Sequence, residues 1–147
     1  MNYEVRNFIQ HNNLQPADAI IAKKVGYGIL DHYIIYIGYE SGQHLFMANS
    51  MDNGVRYYTE DQIPELIKKF EPTKIRPFSG NGWERSAAIA RAKNQLGRKY
   101  SLVGDNCEHF ANYVQLGRKE SPQVTGWIGA GLFLATLSLI IAGNKKK

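Results

Sequence analysis

Residues 31–49 read DHYIIYIGYESGQHLFMAN, and this stretch decides the fold. Its first part, 31–39, is rich in Ile and Tyr, which are residue types that favour β-strands. A short turn at 40–42 contains Gly42, and residues 43–49 predict a second strand. Because so short a connection joins neighbouring strands that run in opposite directions, the stretch predicts an antiparallel β-hairpin.

The sequence around this hairpin predicts further strands and helices. Short apolar or aromatic runs predict strands at 17–22, 55–58 and 74–78. The last of these is expected at a sheet edge, since Pro77 cannot donate a hydrogen bond to a neighbouring strand. Apolar spacing, caps and a first-turn proline predict helices at 61–70, 83–96 and 106–116, with Gly97 and Gly117 as C-terminal caps of the last two. We therefore expect an α+β fold, with a small antiparallel sheet packed against helices.

Length and composition exclude several kinds of protein. The chain has 147 residues, which suit one domain, and its single cysteine excludes an intramolecular disulfide and a multi-cysteine zinc site. It carries 18 Lys and Arg against 13 Asp and Glu, but three of the 18 are the final lysines, 145–147. Because the remainder is nearly neutral, the charge does not imply a nucleic-acid partner. We also expect no metal ion and no cofactor.

A long uncharged segment lies near the C-terminus. Residues 124–142 read VTGWIGAGLFLATLSLIIA, and a helix of that length spans about 28 Å, close to the ~30 Å thickness of a bilayer core. Trp127 lies near one end and the terminal lysines lie beyond the other, as interfacial anchors do. This pattern predicts a hydrophobic, membrane-spanning helix at 124–143, although a helix packed against the domain is the alternative.

The segment divides the chain into three parts. We expect a catalytic domain at 1–123, the hydrophobic helix at 124–143 and a basic tail at 144–147. The N-terminus has no basic start followed by an apolar run, so it does not resemble a secretory signal. The interpretation that follows is a membrane-associated protein whose catalytic domain is cytoplasmic and whose anchor is C-terminal.

Cys107 occupies a position that suits a nucleophile. It follows Asn106, a favoured N-cap residue, at the start of the predicted last helix. The N-terminus of a helix carries partial positive charge and unpaired N–H groups, which can stabilise a thiolate or a developing oxyanion. A lone cysteine is, however, more often a small buried apolar residue, so the position alone leaves both interpretations open.

Four histidines are candidates for the base that would activate Cys107. His11 lies in a polar segment and is expected at the surface, and His109 is two residues from Cys107, so it points to another side of the helix. His32 and His44 each open one strand of the hairpin. Because a cysteine hydrolase pairs a thiol with a histidine that a third group orients, the strand histidines are the better candidates.

Three motifs together resemble the lecithin:retinol acyltransferase family, which is known for an H-box and an NC-box. They are DHYIIYIG at 31–38, HL at 44–45 and NCEHF at 106–110. The resemblance covers roughly residues 16–124 and includes the 12-residue step from one strand histidine to the other. That family belongs to the permuted NlpC/P60 group of papain-like folds, so the resemblance implies this fold here.

The resemblance also implies a mechanism and its residues. It makes Cys107 the nucleophile, His32 the general base and later acid, and His44 the residue that orients His32. Family members form a thioester with the acyl chain of a phospholipid and pass it to water, as phospholipases A1/A2, or to an amine or a hydroxyl. The implied partners are a phospholipid acyl donor and a membrane surface. Retinol-specific members carry an insertion that we do not find in this sequence, which argues against retinol esterification.

Two questions remain open at the level of the sequence. A simple hairpin that turns near Ser41 pairs His44 close to Ile37, so contact between the rings of His32 and His44 requires a bulge or a wider turn. The function also has alternatives. An NlpC/P60-type cysteine peptidase or amidase is one, and a non-enzymatic, membrane-associated module that keeps both boxes is another.

Overall fold

The computed structural model of the chain describes residues 2–24, 31–126 and 128–130. Its elements are α1 (Tyr3–His11), β1 (Ala19–Lys24), β2 (His32–Glu40), β3 (Gln43–Ser50), β4 (Gly54–Thr59), α2 (Ile63–Lys69), β5 (Phe70–Arg76), α3 (Gly82–Lys93) and α4 (Cys107–Leu116). The strands form one antiparallel sheet in the order β4-β3-β2-β1-β5. The expected α+β class and antiparallel sheet are confirmed.

The hairpin of β2 and β3 lies at the centre of this sheet. Ser41 and Gly42 form its two-residue turn, and both have positive φ angles, 52° and 84°. Turns of this kind match the twist of antiparallel strands, and Glu40 accordingly faces Gln43. Nearly all of β2 is buried, because helices cover both faces of the sheet. The continuous apolar run in the sequence reflects this position.

Two apolar cores lie on opposite faces of the sheet. On one face, Ile35 and Met47 pack with residues of α3 and α4. On the other face, Ile34 and Phe46 pack with residues of α1 and α2. The helices contribute Ala88, Ala92, Phe110, Ala111 and Val114 to the first core, and Val5, Ile9 and Ile63 to the second. The first core carries α4 and therefore positions Cys107.

Some boundaries differ from the sequence predictions for identifiable reasons. The predicted helix 83–96 ends at Lys93, because the Gly97 N–H and the Arg98 carbonyl bond instead to the backbone of Val55 at 2.8 and 2.9 Å. Gly97 therefore caps no helix. Strand β5 begins four residues before the predicted strand 74–78, and Pro77 follows its end. Gly117, with a φ of 73°, is the C-cap of α4 as expected.

Most of the predicted hydrophobic helix at 124–143 lies outside the described residues. Residues 122–126 and 128–130 are helical. Within the described ranges, no helix combines the length and the apolar character that crossing a bilayer requires. Residues 131–147, which include the predicted basic tail at 144–147, are not among those that the structure describes.

Candidate active site

The N-terminus of α4 begins at Cys107, as predicted. The side-chain oxygen of Asn106 accepts hydrogen bonds from the N–H groups of Glu108 and His109, both at 3.0 Å. In return, Nδ1 of His109 accepts the Asn106 N–H at 3.4 Å. His109 therefore completes a capping box at the start of α4. Because the cap fixes the first helical turn, it also fixes the direction of the Cys107 side chain.

The thiol of Cys107 lies against the start of β2. Its sulfur is 3.5 Å from the Asp31 carbonyl oxygen, to which the S–H donates, and the Tyr33 N–H points towards the sulfur. The pairing between β2 and β3 begins only at Ile34, opposite Ala48. The N-terminus of α4 therefore takes the place of β3 beside residues 31–33.

His32 lies between the two residues that contact the thiol. It is the first residue of β2, it pairs with Ala22 of β1, and it is buried. The backbone of His32, the predicted base, therefore lies beside the sulfur of Cys107, the predicted nucleophile, because Asp31 and Tyr33 both contact that sulfur. A Cys–His pair requires this juxtaposition of chain segments.

Burial governs the ionisation of the thiol. It raises the pKa of Cys107 to about 11, and the negative charge of Glu108 acts in the same direction. The N–H groups of Tyr33, Glu108 and Cys107 itself act to lower that pKa, but they do not outweigh the loss of solvent. The thiolate expected at a helix N-terminus is therefore not the resting form. The thiol is protonated at neutral pH, and a base has to remove its proton.

The structure does not bring His44 to His32, which the predicted orienting role of His44 would require. His44 pairs with Tyr39, seven residues along β2 from His32, which corresponds to about 23 Å. A bulge does occur between Tyr36 and Gly38, but the two-residue turn keeps His44 at the far end of the hairpin. There its Nδ1 is 2.7 Å from the Tyr36 hydroxyl, and burial lowers the pKa of its ring.

A buried carboxylate lies directly beside the predicted nucleophile. Glu108 is buried, and one of its oxygens accepts a hydrogen bond from the Tyr33 hydroxyl at 3.1 Å. Its other oxygen accepts hydrogen bonds from the hydroxyl of Ser121 and, at 3.2 Å, from the N–H of Gln123. The start of the segment after α4 is thereby fixed to the first turn of α4.

The side chain of Gln123 contacts Asp31 and Tyr33, the two residues at the start of β2 that lie against the thiol. Its Oε1 accepts the Asp31 N–H at 2.9 Å, and its Nε2 is 3.5 Å from the Tyr33 hydroxyl. Gln123 therefore contacts both residues that flank His32, and its own N–H contacts Glu108. These bonds hold the start of β2 and the start of α4 at a fixed distance from each other.

The arrangement suits covalent catalysis by the thiol. It offers a cysteine at a helix N-terminus, several N–H groups directed at the sulfur and a histidine whose chain neighbours, Asp31 and Tyr33, both contact that sulfur. In the parts of the chain that the structure describes, no three His, Cys, Asp or Glu residues are grouped closely enough to hold a metal ion.

Comparison with known families decides the assignment. Residues 12–120 match the family model described as lecithin retinol acyltransferase. The chain belongs to the lecithin retinol acyltransferase family. The match includes the hairpin, α4 and every residue that contacts the Cys107 sulfur. It confirms the family resemblance that the sequence motifs indicate.

Two curated relatives share part of this family domain. Human phospholipase A and acyltransferase 2 is 37% identical over 68 residues, which are 40% of this chain and 42% of the relative. Phospholipase A and acyltransferase 3 of Pongo abelii is 41% identical over 61 residues, 37% of this chain and 38% of the relative. The matches thus span about two fifths of the length of each relative.

The sequence alone did not identify the residues that support this family site. Ser121 and Gln123 lie in the stretch that resembles the family, but no chemical pattern assigned them a role. Glu108 offers a stronger signal, because a charged residue next to a candidate nucleophile requires partners if it is buried. Those partners come from β2 and from the segment after α4, which only the tertiary structure brings together.

Proposed function

We propose that this member of the family is a phospholipid acyl hydrolase or acyltransferase that works through a thioester on Cys107. The observation that carries the proposal is the position of the Cys107 sulfur, 3.5 Å from the Asp31 carbonyl and directed at the backbone beside His32. The names of the two relatives, which combine phospholipase A with acyltransferase, agree with this class of reaction.

The proposed reaction has two steps. In the first, His32 takes the thiol proton while the sulfur attacks the ester carbonyl carbon of a phospholipid. The Cys107 N–H stabilises the resulting oxyanion, and His32 then gives its proton to the departing oxygen of the lysophospholipid. In the second, water, an amine or a hydroxyl attacks the thioester, His32 accepts its proton, and the sulfur leaves and is protonated again.

The ionisation of the thiol explains why a base is needed. With a pKa of about 11, roughly one thiol in ten thousand is ionised at pH 7. A mechanism that waited for the free thiolate would therefore use a very small fraction of the protein. Transfer of the proton to His32 during the attack removes this limit, and it assigns His32 a role that no other described histidine occupies.

We further propose that the chain meets its substrate at a membrane. The uncharged segment 124–142 would form the helix at 124–143 that anchors the protein, with the catalytic domain in the cytoplasm. An anchored enzyme encounters bilayer lipids at a high effective concentration. The sheet with α4 packed at its centre would correspond to the permuted papain-like arrangement of the NlpC/P60 group.

Mass spectrometry of the full-length protein after incubation with phosphatidylcholine tests the catalytic proposal. We expect an acyl adduct and the release of fatty acid, both abolished in Cys107→Ala. His32→Gln should lose about 100-fold or more in rate, which is the scale of general-base catalysis. The matched control is His44→Gln, which should stay active because His44 lies at the far end of β2. Hydrolysis that persists in Cys107→Ala would refute the mechanism.

Membrane fractionation tests the anchor independently of activity. Two charges placed in the uncharged segment, Leu134→Arg with Leu137→Arg, should move the protein from the membrane fraction to the supernatant, because each arginine costs roughly 3 kcal/mol at the centre of a bilayer. The same substitutions should leave cleavage of a dispersed short-chain substrate intact. Equal partitioning of the two proteins would contradict the anchor.

A further inference from the structure

A short turn directly before the candidate nucleophile exposes two apolar side chains. Leu102 and Val103 lie in the turn 101–105 and are 56% and 64% exposed. Turns of this size usually contain Gly, Asn, Asp, Ser or Pro, so two adjacent branched apolar residues at the corner are unusual. We call the turn 101–105 with its two exposed side chains the apolar tip.

The apolar tip is rigidly connected to the site. Backbone hydrogen bonds of 3.0 and 2.9 Å between Ser101 and Asp105 close the turn. The Leu102 carbonyl accepts a hydrogen bond of 2.9 Å from the side chain of Asn106, which caps the helix of Cys107. The same Asn106 nitrogen is 3.4 Å from the Ser121 hydroxyl, at the start of the segment that leads to residue 124. The tip and that segment therefore leave the fold at one place.

Positive charge surrounds the base of the tip. The Asp105 carboxylate accepts hydrogen bonds from Arg98 and, at 3.4 Å, from Lys119, and it is itself largely buried. Lys99 follows Arg98 in the chain, Arg118 precedes Lys119, and both Lys99 and Arg118 are exposed. These four cations exceed the three nearby acids, Asp105, Glu108 and Glu120, of which Glu108 is buried. An exposed apolar tip with a basic surround is complementary to a bilayer whose headgroups are anionic.

We propose that the apolar tip inserts into the surface of an anionic phospholipid bilayer and orients Cys107 towards it. The inference rests on the proposed function in one respect, namely that the substrate is a bilayer lipid. Insertion of Leu102 and Val103 buries two apolar side chains that water otherwise surrounds. Because hydrogen bonds already fix the turn, insertion requires little further ordering of the chain. The tip is thus a second membrane contact, separate from the segment 124–142.

A fluorescent label tests the contact without requiring activity. In full-length protein carrying Cys107→Ser, the substitution Val103→Cys provides the one site for an environment-sensitive dye. Vesicles of phosphatidylcholine with phosphatidylserine should shift its emission to shorter wavelength, and salt should weaken that shift. The matched control is Leu96→Cys, since Leu96 is 54% exposed but lies outside the tip. The absence of a shift at position 103, or an equal shift at 96, would overturn the proposal.

Activity measurements on vesicles and on a dispersed phospholipid test whether the apolar tip brings the enzyme to bilayer substrate. Leu102→Ser with Val103→Ser should raise the vesicle concentration for half-maximal activity about tenfold, equivalent to ~1.4 kcal/mol. Activity on a dispersed short-chain phospholipid should not change, nor should Leu96→Ser affect either assay. Saturation of the double variant at the wild-type vesicle concentration would overturn the proposal.

If no form of the protein cleaves either substrate, the proposed function fails, and the label still decides whether the tip binds membranes. A spectral shift that follows protein concentration without vesicles would instead indicate contact with a second copy and would also overturn it.

Discussion

Replacing Glu108 by Gln should change both the stability of the protein and the ionisation of Cys107. The buried carboxylate accepts hydrogen bonds from the Tyr33 hydroxyl, the Ser121 hydroxyl and the Gln123 N–H. It also raises the pKa of Cys107, because a second negative charge beside the thiolate is unfavourable. The substitution keeps the shape of the side chain and removes the charge, so it separates the two effects.

The expected loss of stability follows from these three hydrogen bonds. Gln keeps one acceptor oxygen, which can take the place of the oxygen that accepts from the Ser121 hydroxyl and the Gln123 N–H, and each of these two bonds weakens by about 1 kcal/mol when the acceptor loses its charge. Its NH2 group takes the place of the other oxygen, so the Tyr33 hydroxyl has to accept a hydrogen bond there instead of donating one. The lower cost of burying a neutral side chain offsets part of this loss. We therefore expect the free energy of unfolding to fall by about 1–2 kcal/mol. The pKa of Cys107 should fall below its wild-type value of about 11.

Urea unfolding measures the first effect, and the pH dependence of alkylation by iodoacetamide measures the second. The essential control is Ser121→Ala, which removes the hydrogen bond to Glu108, together with those from the Asn106 side chain and the Val124 N–H, but leaves the Glu108 charge in place. It should lose a similar amount of stability while its alkylation midpoint stays at the wild-type pH. If both variants shift the midpoint equally, destabilisation explains the result, and the electrostatic reasoning is refuted.

Two further predictions concern the start of α4. Asn106→Ala removes the cap that accepts the Glu108 and His109 N–H groups and should cost about 1–2 kcal/mol in urea unfolding; a loss below about 0.5 kcal/mol would contradict the assigned capping role. The second prediction concerns alkaline pH. Because folding raises the pKa of Cys107 from 9.0 to about 11, the native state retains a proton that the unfolded state releases, so stability falls as pH rises through this window. This loss of stability reaches about 2–3 kcal/mol in the wild-type protein. Cys107→Ser has no thiol to ionise, so its free energy of unfolding should fall less between pH 9 and pH 11. Identical pH profiles of the two proteins would exclude a buried thiol.

Local patterns were sufficient to predict the hairpin and the start of α4. The strand at 31–39 is rich in Ile and Tyr, and the turn contains a glycine, so neighbouring residues alone indicate that the two strands form a hairpin. Asn106 is an N-cap residue, and its side chain caps the helix within three residues of itself. Helix α1, which was not among the predicted elements, also has a local signal, the cap Asn2 before the apolar pair Val5 and Ile9.

Features that depend on register or on distant contacts were not predictable in the same way. The place of His44 depends on the two-residue turn and on the bulge near Gly38, whose φ is 126°. A one-residue change in either would move every later side chain of β3. The contact between Gln123 and Asp31 joins residues 92 apart in the chain. No pattern within one sequence window can indicate such a contact.

The high pKa of Cys107 has a consequence for the proposed chemistry that can be tested. Raising the pKa of a thiol from 9.0 to about 11 lowers its ionised fraction at neutral pH about 100-fold, while the thiolate, once formed, becomes about tenfold more nucleophilic. Burial alone therefore slows attack by about tenfold. Catalysis requires that His32 take the proton as the carbon–sulfur bond forms. Proton transfer within the rate-limiting step predicts a normal solvent deuterium isotope effect on thioester formation, which His32→Gln should abolish. If the wild-type protein shows no isotope effect when formation of the thioester limits the rate, the thiolate forms before the attack, and His32 is not the base of that step.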